Sequence, residues 1–421
     1  VAVTRTATVI GGGPAGLMAA EVLAAAGLRV TVYEHMPSVG RKLLLAGRSG
    51  LNITNNEPLE QLMTRYGKGT PRLREAIRSF GPHELRSWCE GLGETTFVGS
   101  TGRVFPTSFR ATPLLRAWLA RLQSTGVTIE LRHRWVGWRT NEANHRDGRR
   151  SIFSRPDGTT VEAASDVTVL ALGGGSWPRV GSDGSWVGIF RGAGIRVNDL
   201  RPANCGVHIG WTTHFVERFA GAPLKNVAAS IGPTSVRGDA TITRYGLESG
   251  PVYALSPFVR DALDRDGRCV MNIDLRPDLT VDVLAQRLAR RRPKDSLATS
   301  LRRAIGLSPA DSSLLREATG NNIPTDPLDL ATLVKTVPLA VDSTAPLARA
   351  ISTAGGVDLA EVDTSFMVRR LPGTFLAGEM LDWEAPTGGY LLQASFSTAV
   401  AAARGAVAWL DARTTTAIWG V

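Results

Sequence analysis

The chain has 421 residues, 43% apolar and 20% charged, enough to bury one large core or two to three ordinary ones; this excludes a small disulfide-stapled domain and a disordered tail. Mean hydropathy is −0.02 and no stretch approaches the roughly 18–20 consecutive apolar residues of a membrane span, so a soluble, cytoplasmic protein with no membrane partner is expected. The net charge of +10 invites a nucleic-acid reading, yet five of the 48 basic residues are Lys and the 43 Arg are dispersed from Arg5 to Arg413, so nucleic acid is not the expected partner.

The opening VAVTRTATVI reads as a strand rather than a signal peptide. TATVI (6–10) is its apolar part, GGGPAG (11–16) a glycine turn, LMAAEVLAAAG (17–27) an alanine-rich helix closed by Gly27, and RVTVYE (29–34) a second strand. That strand delivers Glu34 23 residues after Gly11, which is the order and spacing of a dinucleotide fold. Gly11 permits the tight turn, Gly13 lets backbone N–H groups approach a pyrophosphate, and Gly16 lets the helix pack closely on the strand. The helix N-terminus would face the phosphates and Glu34 would accept from the ribose hydroxyls, an acid there favouring an unphosphorylated ribose.

NAD and FAD both satisfy that unit, and later segments separate them. HMPSVGRKLLLAGRSGLNITN (35–55) is glycine-rich and basic rather than the next strand of a dehydrogenase. VTIELRHRWVGW (127–138), SIFSRPDG (151–158) and TTVEAA (159–164) read as a β-meander before a buried strand, VTVLALGGG (167–175). From 195 the pattern changes: 195–211, 227–232 and 268–275 look like strands, whereas 281–292, 297–306 and 328–336 have helical spacing with a loop at 320–327. The basic run Arg287, Arg290, Arg291, Arg292, Lys294 reads as a solvated helix end leading into Pro293, with an anionic partner as the lesser alternative. GTFLAGE (373–379) is an apolar strand ending in an acid, and DWEAPTGGYLLQASFSTAVAAARGAVAWL (382–410) becomes a long apolar helix after Gly389. GGGSWPRVGSDG (173–184) lacks a following alanine-rich helix, strand and acid, so no dedicated NAD(P)H domain is expected. Cys89, Cys205 and Cys269 lie far apart with no CxxC pair, which argues against disulfides, zinc and a redox dithiol. His35, His83, His133, His145, His208 and His214 are too scattered for a metal site.

These segments resemble the glutathione-reductase type of FAD fold. GRKLLLAGRSGLNITN with AGEMLDWEAPTGGYLLQASFSTA is further similar to a family of bacterial FAD-dependent proteins that includes the aminoacetone oxidase and bile-acid reductase types, as are GRVFP (102–106), TAGGV (353–357) and ITRYGLESGPVYALS (242–256). Two departures mark a side branch: Leu51 stands where many members have a cysteine, and Thr243–Arg244 with an extra Glu248 replaces the usual threonine–histidine approach to Ser249–Gly250–Pro251. The resemblance implies an α/β fold in which both chain ends, 1–194 and 350–421, form a Rossmann-type FAD-binding domain. It also implies an inserted β-rich substrate domain at 195–278 and 335–349 and a helical subdomain at 279–334.

Carried over by motif, Gly11, Gly13, Pro14, Ala15 and Gly16 would hold the pyrophosphate, Glu34 the adenosine ribose, and Arg41 and Lys42 would offset phosphate charge. His35 would stack near adenine, Val136 would meet it through backbone, and Glu379 would hold the ribityl chain or a phosphate-bound water. Gly47, Gly173 and Gly378 complete the cofactor set. Gly388, Gly389, Tyr390 and Leu391 would turn the start of the last helix toward the flavin N1 and C2 carbonyl, where charge gathers on reduction. Arg48, Asn52, Tyr245 and Trp383 are candidate walls of a substrate site between the insert and the flavin, with Glu384 as a proton carrier. The implied function is hydride transfer between FAD and a small organic substrate, with O2 (an oxidase) or transient NAD(P)H (a reductase) as electron partner. An RNA-associated or redox-sensing flavoprotein is the alternative.

Overall fold

A computed structural model describes residues 4–139, 150–290, 292 and 294–419; Arg291, Pro293 and His145 fall outside this set. The chain divides into two compact units, one made of the segments up to Arg201 and from Ser352 onward, the other of Pro202–Ile351. The first is built on a five-stranded parallel sheet with spatial order Thr374–Leu376, Val167–Leu170, Thr6–Ile10, Arg29–Glu34, Thr128–Leu131. Parallel strands covered on both faces read as near-continuous apolar runs, and Val167–Leu170 and Thr374–Leu376 are buried at every position. The helix Pro14–Ala25 crosses over from the first strand to its neighbour and also packs against the helix Tyr390–Trp419. Its alanines allow that double contact: Leu17, Ala19, Ala20 and Leu23 are wholly buried. Gly27, at φ +83°, then turns the chain into the next strand.

Residues 127–138, expected as one strand, are two. Thr128–Leu131 joins the parallel sheet beside Arg29–Glu34, and Arg134–Arg139 opens an antiparallel meander with Arg150–Ser154 and Thr160–Ala163. Arg132 separates them in the left-handed region at φ +59°, a conformation that a bulky residue does not announce in sequence. The acid-terminated strand at 373–379 is shorter than expected: strand covers Thr374–Leu376, and Glu379 lies on the 3-10 turn Gly378–Met380. Thr54–Asn55, Arg103–Pro106 and Thr96–Val98 form a small antiparallel sheet.

The second unit carries a seven-stranded sheet whose neighbours all pair antiparallel, with Pro223–Ile231, Thr234–Ile242 and Cys269–Asp274 among its strands. Residues 195–211, expected as one strand, comprise Val197–Ala203 and Val207–His208. Four short helices follow, and each starts at its own side-chain cap: Thr280 for Val281–Ala289, Ser296 for Leu297–Ile305, Ser308 for Pro309–Thr319, Asp326 for Pro327–Lys335. The first of these stops three residues before the expected end at 292, because the N–H of Arg290 turns back to the Arg287 carbonyl at 3.3 Å. No helix among the described residues is long and apolar enough to cross a membrane.

Candidate cofactor site

The helix Pro14–Ala25 begins in a different way from the four capped helices. Its N-cap is Gly13, which offers no side chain, and Pro14 brings no N–H, so the first-turn donors of Ala15 and Gly16 are left to whatever lies beyond the helix. A Cβ on Gly13 would meet nothing within 4 Å. Its neighbours are crowded by contrast: a Cβ on Gly11, at φ +107°, would come 2.3 Å from the Ala171 carbonyl oxygen, and one on Gly16 would come 1.8 Å from that of Gly11. Two glycines thus close the turn against the sheet while the third leaves an open approach to a helix end.

Glu34 lies at the end of the adjacent strand, 8% exposed. It accepts from the Gly12 N–H and the Met36 N–H, both at 2.7 Å, and His35 Nδ1 is 3.1 Å from Oε1. Burial pushes its carboxyl upward, but the His35 contact and the two backbone donors outweigh this and hold it below the ordinary carboxylate value. The anion is therefore fixed beside the glycine turn. The His35 ring is held against Gly181, where a Cβ would come 3.2 Å from its Cε1.

Segments far apart in sequence meet around Lys42. Its ammonium donates to Ser176 Oγ and Glu379 Oε2, each at 2.7 Å. Glu379 also accepts from the N–H of Thr353 at 2.9 Å and of Gly174 at 3.4 Å, and Thr353 Oγ1 accepts from the Gly175 N–H at 2.9 Å. Lys42 is thus an ion-pair partner of Glu379 as well as a neighbour of the glycine cluster. Ser176 and Thr353 lie in the GGGS and TAGGV segments, where the glycines draw attention ahead of the hydroxyls. Gly378, at φ +78°, sits against the first turn of the Pro14 helix, where its Cβ would come 2.8 Å from that of Ala15. Gly173, at φ +70°, faces Ser182 Oγ and accepts from Trp186 Nε1.

The second glycine-led helix starts at Tyr390. Gly389, at φ +97°, lies on the Thr54 backbone, where a Cβ would come 2.4 Å from its carbonyl carbon and oxygen; the Gly388 carbonyl accepts from Asn55 Nδ2 at 3.3 Å. Gln393 N–H bonds to the Gly389 carbonyl, so the N–H groups of Tyr390, Leu391 and Leu392 precede the first intrahelical donor. The Tyr390 carbonyl accepts from Tyr66 Oη at 2.9 Å, while burial and then Glu57 push the Tyr390 hydroxyl up to about 12.

Other expected residues have different surroundings. Both donors of the Asn52 amide are engaged, at 2.8 Å with the Thr54 carbonyl and 3.0 Å with that of Val104. Arg48 is exposed, and Gly47 is a packing glycine whose Cβ would come 2.5 Å from that of Ala111. Val136 is the extra residue of a β-bulge, 43% exposed. Tyr245 belongs to the second unit, 56% exposed and beside Arg349. Trp383 is buried and donates to the Gly378 carbonyl. Between it and the last strand, Asp382 was not foreseen: burial first, then the negative charges of Asp358 and Glu384, raise its carboxyl above the ordinary value against a 2.7 Å hydrogen bond from Asn198. Nothing in the DWE segment signalled in sequence that burial would raise the carboxyl of Asp382. The three cysteines are buried, and burial pushes Cys89 up to about 12 and Cys205 up to about 11, so these thiols stay protonated.

The residues suit a dinucleotide. An uncapped helix end with open space in front of it calls for an anion; Arg41 Nε, one residue past Gly40 whose N–H bonds the Gly12 carbonyl, and Ser182 Oγ, facing Gly173, are buried with no hydrogen-bond partner among the described residues.

The chain is similar to known proteins in sequence and in fold. The 3-dehydro-bile acid delta(4,6)-reductase of Clostridium scindens is 27% identical over 418 residues, covering 94% of this chain and 98% of the relative. The ribosomal RNA dihydrouridine synthase of Escherichia coli is 24% identical over 418 residues, covering 96% and 98%. In fold, the 3-ketosteroid delta1-dehydrogenase of Sterolibacterium denitrificans superposes with a TM-score of 0.54 at 14% identity, over 96% of this chain and 100% of that one. The class so defined is that of the FAD-dependent oxidoreductases with a Rossmann-type domain. Within it, the chain belongs to the HI0933-like family, whose Rossmann-domain model matches residues 5–405.

Proposed function

We propose that this enzyme reduces a carbon–carbon double bond conjugated to a carbonyl group in a small organic molecule, with NAD(P)H as a transient electron donor. The supporting observation is the pairing of the open glycine cradle with two curated relatives, each near full length, whose names both denote saturation of such a bond. The bound FAD would supply hydride chemistry. The chain's own residues bind, orient and protonate. Gly11, Gly13, Pro14, Ala15 and Gly16 hold the pyrophosphate at the helix end, with Arg41 and Ser182 on its flanks. Glu34 accepts from the adenosine ribose, His35 and Val136 border the adenine, and Lys42, Gly173, Gly378 and Glu379 hold the polar stretch toward the flavin ring. Gly388, Gly389, Tyr390 and Leu391 would hold the flavin end of the cofactor, where the free first-turn donors of the last helix would stabilise negative charge and so assist hydride chemistry.

Asp382 with Glu384 holds the proton that the substrate carbon receives, and Arg48 and Asn52 border the reacting face. We assign the parallel-sheet unit to cofactor binding and the Pro202–Ile351 unit to substrate selection. Anaerobic stopped-flow mixing with NADH or NADPH tests the electron partner: rapid bleaching supports a reductase, whereas an inert flavin that turns over only with oxygen and an amine reverses the assignment. If Asp382 carries the proton, the rate with a conjugated enone falls as pH rises through its raised pKa, and Asp382→Asn removes that limb. An unaltered profile in the variant rejects the role.

A second reading, reduction of a uracil base in RNA, draws on the net charge of +10 and the dihydrouridine synthase relative. Filter binding across salt separates the two, since attachment through phosphates weakens steeply with ionic strength.

A further inference from the structure

The second unit contains a basic cavity that the cofactor site does not use. Its volume is about 560 Å³, and its walls include Arg287, Arg290, Arg292, Asp295, Ser300 and Arg303. Two packed helices build it: Arg287 is on Val281–Ala289 and Arg290 caps that helix, while Ser300 and Arg303 are one turn apart on Leu297–Ile305. Asp295 takes up one of the four guanidinium groups, with both carboxylate oxygens 3.1 Å from Arg303 Nη1. Arg287, Arg290 and Arg292 have no carboxylate within ion-pair distance among the described residues. Ser300 is 4% exposed, and its Oγ has no hydrogen-bond partner among the described residues.

A solvated helix end accounts for exposed arginines but not for a buried hydroxyl left unpaired in the wall beside them, because buried polar groups are satisfied as a rule. Three unpaired guanidinium forks and a hydroxyl donor form the donor set for tetrahedral oxyanions. The volume lies within the range of about 300–1,000 Å³ typical of small-molecule sites and exceeds what a single ion needs. We propose that this cavity binds a chain of phosphates, either a free polyphosphate-bearing molecule or a stretch of nucleic-acid backbone. The proposal does not rest on the reading of the flavin chemistry.

The test uses the FAD-loaded protein and two probes, inorganic tripolyphosphate by titration calorimetry and a labelled single-stranded RNA by filter binding at several salt concentrations. The comparison is with the R287Q/R290Q/R292Q variant and with Ser300→Ala, and flavin absorbance and melting temperature report an intact fold. Saturable tripolyphosphate binding is expected, weakened about tenfold or more for each charged hydrogen bond lost in the triple variant and less in Ser300→Ala. Binding of tripolyphosphate but not RNA identifies a free ligand. Binding of RNA with a salt slope reduced by about 0.7 per lost contact in the triple variant identifies a backbone. If neither probe binds, or if both bind the folded triple variant as they bind the wild type, the proposal is overturned.

Discussion

At Gly389, φ is +97° and a Cβ would sit 2.4 Å from the Thr54 carbonyl group, so neither the conformation nor the space admits a side chain. Gly389→Ala is expected to cost on the order of 1–3 kcal/mol and to lower flavin content, read by thermal melting and by the absorbance ratio of flavin to protein. Gly13→Ala meets no such obstacle within the protein, so a loss of FAD without a loss of melting temperature is expected there. Glu34 makes a pH-dependent contribution. Its folded pKa lies below the ordinary 4.5, so the stabilisation is complete above that value and is lost as pH falls through the folded one. Urea melts of Glu34→Gln should differ from wild type most at neutral pH and converge in acid; a constant difference would show that the charge of Glu34 contributes nothing. The glycine turn and the place of Glu34 at a strand end were legible as structure, because the strand–turn–helix–strand unit crowds Gly11 and Gly16 against backbone and ends its second strand at residue 34. The engagement of Asn52 with two backbone carbonyls was not, because the orientation of an amide depends on a strand fifty residues away.

Among the elements, the helix Pro14–Ala25 carries a polar tie that its alanine-rich sequence hides. Glu21 accepts from Trp118 Nε1 at 2.6 Å, Trp88 Nε1 at 3.0 Å and Arg121 Nη1 at 2.9 Å, which joins it to the helices Pro82–Gly91 and Ala111–Ser124. Glu21→Ala strands three donors, and a loss of about 1.5–3 kcal/mol is expected together with altered tryptophan fluorescence; unchanged emission would mean that the indoles do not depend on it. One acid on one helix gives no hint of partners 67 and 97 residues away. Periodicity located the helices at 281–289, 297–305 and 327–335 because each presents an apolar stripe, but it did not reveal Pro309–Thr319, whose sequence PADSSLLREAT is mostly polar. The division at Arg132 was hidden for a related reason: the alternation of apolar residues continues through it.

In the whole molecule, the parallel sheet takes strands from both ends of the chain, and the Thr374–Leu376 strand forms its edge beside Val167–Leu170. A chain shortened to end before Gly373 lacks that edge, Glu379 and the whole Tyr390 helix. It is expected to bind no flavin and to lose its near-ultraviolet circular dichroism, whereas retention of both would show that the cradle is complete without them. The parallel-sheet core was legible because strands covered on both faces must be apolar throughout. The second sheet was read only in part, since residues 234–239 alternate half-buried and exposed positions with small and polar residues that also suit a loop.

The contribution of Thr374–Leu376 to the central sheet also has a consequence for biosynthesis. While the ribosome is still translating, the first nine-tenths of the polypeptide can collapse locally, but Lys42 has no carboxylate to meet and the sheet has an open margin. If the cradle takes up the vitamin-derived group as proposed, uptake therefore waits until the segment from Thr374 through Glu379 has emerged and joined the sheet.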